Sequence, residues 1–151
     1  LPIYHLWVGK GMDHIDLLRA VSRGPNRDKL ILPGYRTDAL NITAGADAFI
    51  LGSLYGEAIT KAVIEAMSLA RPCIITRIPG NRNLLVHEES GLFVPPRDPE
   101  AMADAVQRLY HEPELRSKLG EAAREHIRTR FSVERTVRGL LDMYQTLLAR
   151  K

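Results

Sequence analysis

Residues 48–76, AFILGSLYGEAITKAVIEAMSLARPCIIT, decide the fold. Ala48 to Leu51 is an apolar run of strand length, stopped by Gly52-Ser53. From about Thr60 to Ala70 the pattern becomes helical. Between Ala62 and Ala70 it is apolar nearly all round, as in a helix buried against a sheet. Pro72 to Thr76 then returns to strand character. Strand, helix and strand in this order build a parallel sheet.

The same alternation continues on both sides. Ile3 to Val8 is a short strand ending at Gly9-Lys10-Gly11. A helix follows, with Asp13 as N-cap and Ile15, Leu17, Leu18 and Val21 apolar, until Gly24-Pro25-Asn26 breaks it. Lys29 to Leu32 is a second strand closed by Pro33-Gly34, and a short helix runs from about Asp38 to Ala46. Gly91 to Val94 makes a fifth strand. The expected fold class is α/β, a Rossmann-like parallel sheet with helices on both faces. Glycines and polar residues gather at the strand ends: Gly9 and Gly11, Gly34, Gly52 and Ser53, Thr76 and Gly80. Ligands of such sheets sit there. After Pro95-Pro96 the chain turns helical, with Asp98-Pro99 as cap and first residue, Pro113 opening a second helix and Ser132 capping a last one. Residues 1–98 thus read as a sheet domain and 99–151 as a helical tail packing on it.

With 151 residues, 45% hydrophobic and 26% charged, the chain has the balance of one ordinary globular domain. No apolar run approaches the roughly 20 residues of a spanning helix, and no secretory signal opens the chain. It begins on a strand-like run without an initiator Met and reads as cut there. The lone Cys73 fits a reducing cytoplasm. A net charge of +3, from 21 basic and 18 acidic residues, gives no basic footprint for nucleic acid. His5, His14, His87, His111 and His126 have no metal-ligand spacing, so no metal is expected. Gly9-x-Gly11 lacks the rest of a dinucleotide fingerprint and reads as a plain turn. Arg124, Arg128, Arg135 and Arg138 read as a solvated helix face.

Chemistry concentrates between Ser53 and Met67. Lys61, Glu65 and Ser68 share one stripe of the helix, and Glu57 lies in the loop before it. A loop and helix N-terminus offer unpaired N–H groups to phosphate, and two carboxylates beside them can accept from sugar or ribose hydroxyls. On spacing alone, the stripe reads as a solvated face with Lys61 paired to Glu65.

Glu57, seven residues, then Glu65-Ala66-Met67 resembles the Glu-x7-Glu motif of the retaining GT-B glycosyltransferases of family 4, the glycosyl transferases group 1. Gly34-Tyr35-Arg36-Thr37-Asp38, Ala46 to Ser53, Pro72 to Thr76 with Pro79-Gly80-Asn81, and Gly91 to Pro99 resemble further landmarks of that family in order. Phe131-Ser132 and Tyr144 fit its tail. The resemblance implies the truncated C-terminal half of a GT-B fold, whose donor is a nucleoside-diphosphate sugar and which needs no further cofactor. Glu65 would hold the donor's ribose hydroxyls and Glu57 the hydroxyls of the transferred sugar. Ala58, Ile59, Thr60 and Lys61 would present backbone N–H groups to sugar and diphosphate. Gly34 and Tyr35 would border the base.

The chain departs from the family pattern at Gly52, usually Pro, and at Ala58, usually Gly. It carries Pro79-Gly80-Asn81-Arg82-Asn83 where many members read Gly-Gly-x-x-Glu, so Asn83 would offer a hydrogen bond without charge. Nothing in Leu1 to Gly11 supplies the family's preceding strand and helix with their diphosphate-clamping Arg and Lys, nor the N-terminal domain that binds the sugar, lipid or polysaccharide acceptor. With that strand absent, the five strands are expected to close in the order 2-1-3-4-5. The last helix, with Val137, Leu140, Leu141, Tyr144, Leu147 and Leu148 on one side, crosses to the N-terminal domain in the family. Here it is expected either to pack locally or to mediate self-association. The implied setting is cytoplasmic, or peripheral at the inner membrane. Rival readings are a receiver- or flavodoxin-like binding module without glycosyl chemistry, and a sugar-nucleotide epimerase of the same fold.

Overall fold

A computed structural model of the protein describes residues 1–12, 14–55 and 60–149. The chain divides into two compact units, Leu1–Ile42 and Thr43–Lys151. In the first, β1 (His5–Val8) pairs in parallel with β2 (Leu30–Gly34), His5 facing Leu30 and Val8 facing Gly34. The register shifts between Leu6 and Val8. Between these strands runs α1 (Ile15–Ser22). Its N-cap is His14, whose Nδ1 accepts from the Asp16 N–H at 3.4 Å; Asp13, expected in that role, lies outside the described residues. β2 runs through Pro33, which an edge strand tolerates, to Gly34 at φ 72°. Among the described residues of this unit, only Gly34 is buried. The short helix α2 (Ala39–Gly45) spans the division between the units.

The core lies in the second unit. β3 (Phe49–Leu51), β4 (Cys73–Thr76) and β5 (Leu92–Val94) form a parallel sheet with β4 in the centre. Phe49 faces Cys73 on one side of β4, and Thr76 faces Val94 on the other. All four residues of β4 are buried, in keeping with the apolar run Cys73-Ile74-Ile75 rather than an alternating pattern. Its side chains still alternate between faces. Cys73 and Ile75 join Val63, Ala66 and Met67 of α3 (Lys61–Ser68), with Ala123 and Ile127 of α5 (Pro113–Arg130). Ile74 joins Ala105 and Leu109 of α4 (Pro99–His111) and Leu119 of α5. Helices therefore cover both faces, as expected. At Gly120, α5 meets the end of α3 backbone to backbone, since a Cβ there would overlap the Ala70 carbonyl oxygen.

The caps of the tail follow the sequence. Asp98 accepts from the Ala101 N–H at 2.9 Å with Pro99 at the first position, and Ser132 accepts from the Arg135 N–H at the start of α6 (Val133–Leu148). Arg124 and Arg128 are solvated and pair with Glu121 and Glu125. One expectation needs correction. The strands do not close into one sheet: β1 pairs with β2, β3 pairs with β4, and the two groups are separate sheets. Local patterns mark strands but not their neighbours. On α6 no residue is buried, and Val137, Leu140, Leu141 and Tyr144 stand exposed.

Candidate functional site

The site expectations fall in both units. Glu57, Ala58 and Ile59 lie outside the described residues. In the first unit, Gly34 takes the left-handed backbone that ends β2, and its carbonyl accepts from the Gly9 N–H at 3.0 Å. Tyr35 follows, 63% exposed, with Lys10 Nζ 5.9 Å from its ring centroid. Arg36 and Asp38 of the same stretch bind each other through two hydrogen bonds of 2.8 and 2.7 Å, and that contact holds the Asp38 carboxyl below its usual range.

In the second unit, Thr60 is the N-cap residue of α3, and its carbonyl accepts from the Val63 and Ile64 N–H groups. Lys61 Nζ stands 3.6 Å from Glu65 Oε1 across one turn, so the expected pair forms. The Lys61 side chain is 88% exposed and that of Glu65 is 36% exposed. An ion pair so open to water holds weakly. Glu65 therefore offers an anionic acceptor on the solvent side of a helix whose other side, Val63, Ala66 and Met67, is locked in the core.

Beside the start of α3 is a polar group that sequence reasoning missed. Asn81, in the short turn Pro79–Asn81 after β4, is fully buried. Its Nδ2 donates to the Thr76 carbonyl at 3.3 Å, and its Oδ1 accepts from Thr60 Oγ1 at 3.3 Å. Thr76 Oγ1 donates to the Ser53 carbonyl. Asn83, singled out as the loop's hydrogen-bonding residue, is exposed. Two asparagines in one turn look alike in sequence, and only the path of the turn decides which points inward.

The remaining polar features bound the chemistry. Burial pushes the Cys73 thiol up to about 12, which makes it inert as a nucleophile. Among the described residues, no three His, Cys, Asp or Glu side chains gather as a metal site requires. An open cleft of about 310 Å³ is lined by Arg77, His87, Phe93, Val94, Pro95 and Pro96 at the carboxyl ends of β4 and β5. No described helix is long and apolar enough to cross a membrane.

The glycosyl transferases group 1 family matches residues 9–126. A curated relative, the lipopolysaccharide core biosynthesis glycosyltransferase LpsD of Rhizobium meliloti, is 29% identical over 148 residues, which are 97% of this chain and 43% of that protein. Among solved structures, HepE of Anabaena in complex with UDP superposes with a TM-score of 0.88 at 17% identity, over 95% of this chain and 41% of that one. The same protein is also solved with UDP-glucose. The C-terminal domain of a glycosyl transferase group 1 protein, LpcC of Francisella tularensis, superposes with a TM-score of 0.69 at 21% identity, over 78% of this chain and 62% of that one. The chain spans less than half the length of LpsD and of HepE. It belongs to the glycosyl transferases group 1 family, and its fold is that of part of a GT-B glycosyltransferase.

Proposed function

We propose, with membership of the glycosyl transferases group 1 family as the premise, that this chain is the donor-binding part of a retaining glycosyltransferase. The reaction moves a sugar from a nucleoside-diphosphate sugar to an acceptor hydroxyl with the anomeric configuration kept. The observation that carries the reading is Glu65, an accessible carboxylate in the second turn of α3, paired with a solvated lysine. Ribose hydroxyls donate hydrogen bonds, and a carboxylate only accepts them. The UDP held by HepE supports a nucleotide donor.

In this reading Glu57 contacts hydroxyls of the transferred sugar. Backbone N–H groups from Ala58 to Lys61 face the sugar and diphosphate, while Gly34 and Tyr35 border the base. Catalysis consists of stabilising the departing diphosphate with aimed donors and holding the acceptor in line. The acceptor, a sugar, lipid or polysaccharide, belongs to an N-terminal GT-B domain. The 151 residues alone are accordingly expected to turn over little or no donor. The donor is the sole small molecule the reaction requires, and the setting is cytoplasmic, at the inner membrane where the acceptor is a lipid.

Titration calorimetry with UDP, GDP and ADP tests the reading. One nucleotide is expected to bind, and Glu65→Ala to weaken it by about 1–3 kcal/mol, the range for losing a hydrogen-bonded charged acceptor. Equal affinity in wild type and variant, or no binding of any of the three at millimolar concentration, rejects it.

A further inference from the structure

The two described flanks of the loop between β3 and α3 are joined by one run of hydrogen bonds. It passes from the Ser53 carbonyl to the Thr76 hydroxyl, from the Thr76 carbonyl to Asn81 Nδ2, and from Asn81 Oδ1 to the Thr60 hydroxyl. Thr76 is 3% exposed and Asn81 0%, so these bonds form away from water, where a missing partner is costly. The last link is unusual for its position. Thr60 is the N-cap residue of α3 with extended backbone, φ −82° and ψ 107°. A threonine there ordinarily turns its hydroxyl oxygen onto the N–H groups of the first turn. Thr60 makes no such side-chain cap bond; its hydroxyl donates to Asn81 Oδ1 instead.

We infer that Asn81 is a positioning residue, which draws the Thr60 hydroxyl off the end of α3 and so keeps the helix's opening N–H groups turned to a donor diphosphate. The inference rests on the donor-binding reading above. The first N–H groups of a helix have no acceptor inside it. Whatever caps them from within the protein competes with a phosphate oxygen for the same hydrogens, and the dipole of the helix favours the phosphate's charge there. Asn81 decides that competition by holding the competitor elsewhere. Its grip on the Thr76 carbonyl sets the direction of its own amide, and Thr76 in turn fastens Ser53. The start of α3 is thereby fixed against β4, the central strand.

The test compares wild type, Asn81→Leu, and the double variant Asn81→Leu with Thr60→Val. Leucine keeps the branched outline of asparagine but holds no hydroxyl, so Thr60 is released to cap the helix. Valine cannot cap. Affinity for whichever of UDP, GDP and ADP binds wild type is expected to fall about tenfold in Asn81→Leu, as for the loss of a competed hydrogen bond, with affinity for the matching nucleoside unchanged. The double variant is expected to recover it. A role in packing alone would weaken both ligands, and removing the Thr60 hydroxyl would not restore them. Amide exchange without ligand supplies a second readout: protection at Ala62 rises in Asn81→Leu and returns toward wild type in the double variant, while Phe93 in β5 stays unchanged and reports an intact sheet. Asn81→Gln gives a milder change should leucine prevent folding. Unchanged affinity for that nucleoside diphosphate in Asn81→Leu, no rescue by Thr60→Val, or no change at Ala62 each overturns the inference. Failure of wild type to bind any of UDP, GDP and ADP while the Ala62 protection moves as described rejects the donor reading instead, and shows the hydroxyl to be held as inferred.

Discussion

His126, on α5, keeps its ring nitrogen Nε2 buried and without a hydrogen-bond partner among the described residues. The Phe131 ring lies 6.1 Å from its own, centroid to centroid. Burial, and after it the positive charge of Arg130, hold the imidazole below its usual 6.5. As pH falls, the unfolded chain therefore takes up this proton before the folded one does. The stability His126 contributes is complete above 6.5, declines as pH drops through 6.5, and levels off below the folded value. Urea midpoints measured from about pH 5 to 8 are expected to fall on acidification in wild type and to fall less in His126→Phe. Equal slopes would remove the histidine from the account. The residue's absence from any metal spacing was visible in the sequence. The missing partner was not, because it depends on the packing of Phe131 beside α5, which no local pattern encodes. Asn81 is the same case. Asparagine in a Pro-Gly turn is the ordinary turn residue, and its hydrogen bonds run to Thr60 and Thr76, the first of them far along the chain.

α3 shows what one element's sequence can and cannot say. Its apolar residues gave its burial, and the spacing of Lys61 and Glu65 gave their pairing at 3.6 Å. The reading that the pair matters for a ligand came from the family resemblance alone, since the spacing by itself describes any solvated helix. The two sides of the helix should consequently respond differently to substitution. Met67 is fully buried among Val63, Ile75 and Leu84, so Met67→Ala is expected to cost about 2–5 kcal/mol of unfolding free energy through the cavity it leaves. Lys61→Ala removes only an exposed pair and is expected to cost under about 1 kcal/mol. Denaturant unfolding of both variants checks this, and comparable losses would mean that the polar stripe carries stability. The separation also protects the nucleotide test, because a loss of binding in Glu65→Ala could not then be assigned to unfolding.

For the molecule as a whole, strand-helix alternation identified the α/β class and the five strands within a residue or two, but not their assembly. The apolar run Cys73-Ile74-Ile75 accords with the burial of β4 without giving its place in the sheet, and β1 and β3 carry nothing in their own sequences to say whether they meet. The result is an uneven distribution of buried side chains. The core groups around Ile74 and Ile75 lie wholly in the second unit, while the described part of the first unit buries Gly34 and no larger residue. Regions with few buried apolar contacts open at lower free energy than the core does. Native-state hydrogen exchange is therefore expected to rank the amides of β4 and of α5 slowest, with those of β1, β2 and α6 faster by about tenfold or more. A single two-state transition would then describe the second unit's core but not the whole chain, and denaturation followed by Trp7 in β1 should precede the loss of helical signal, to which α4 and α5 contribute. Uniform protection across both units, with coincident fluorescence and helical transitions, would show instead that the chain unfolds as one cooperative body and that side-chain burial within each unit does not set its local stability.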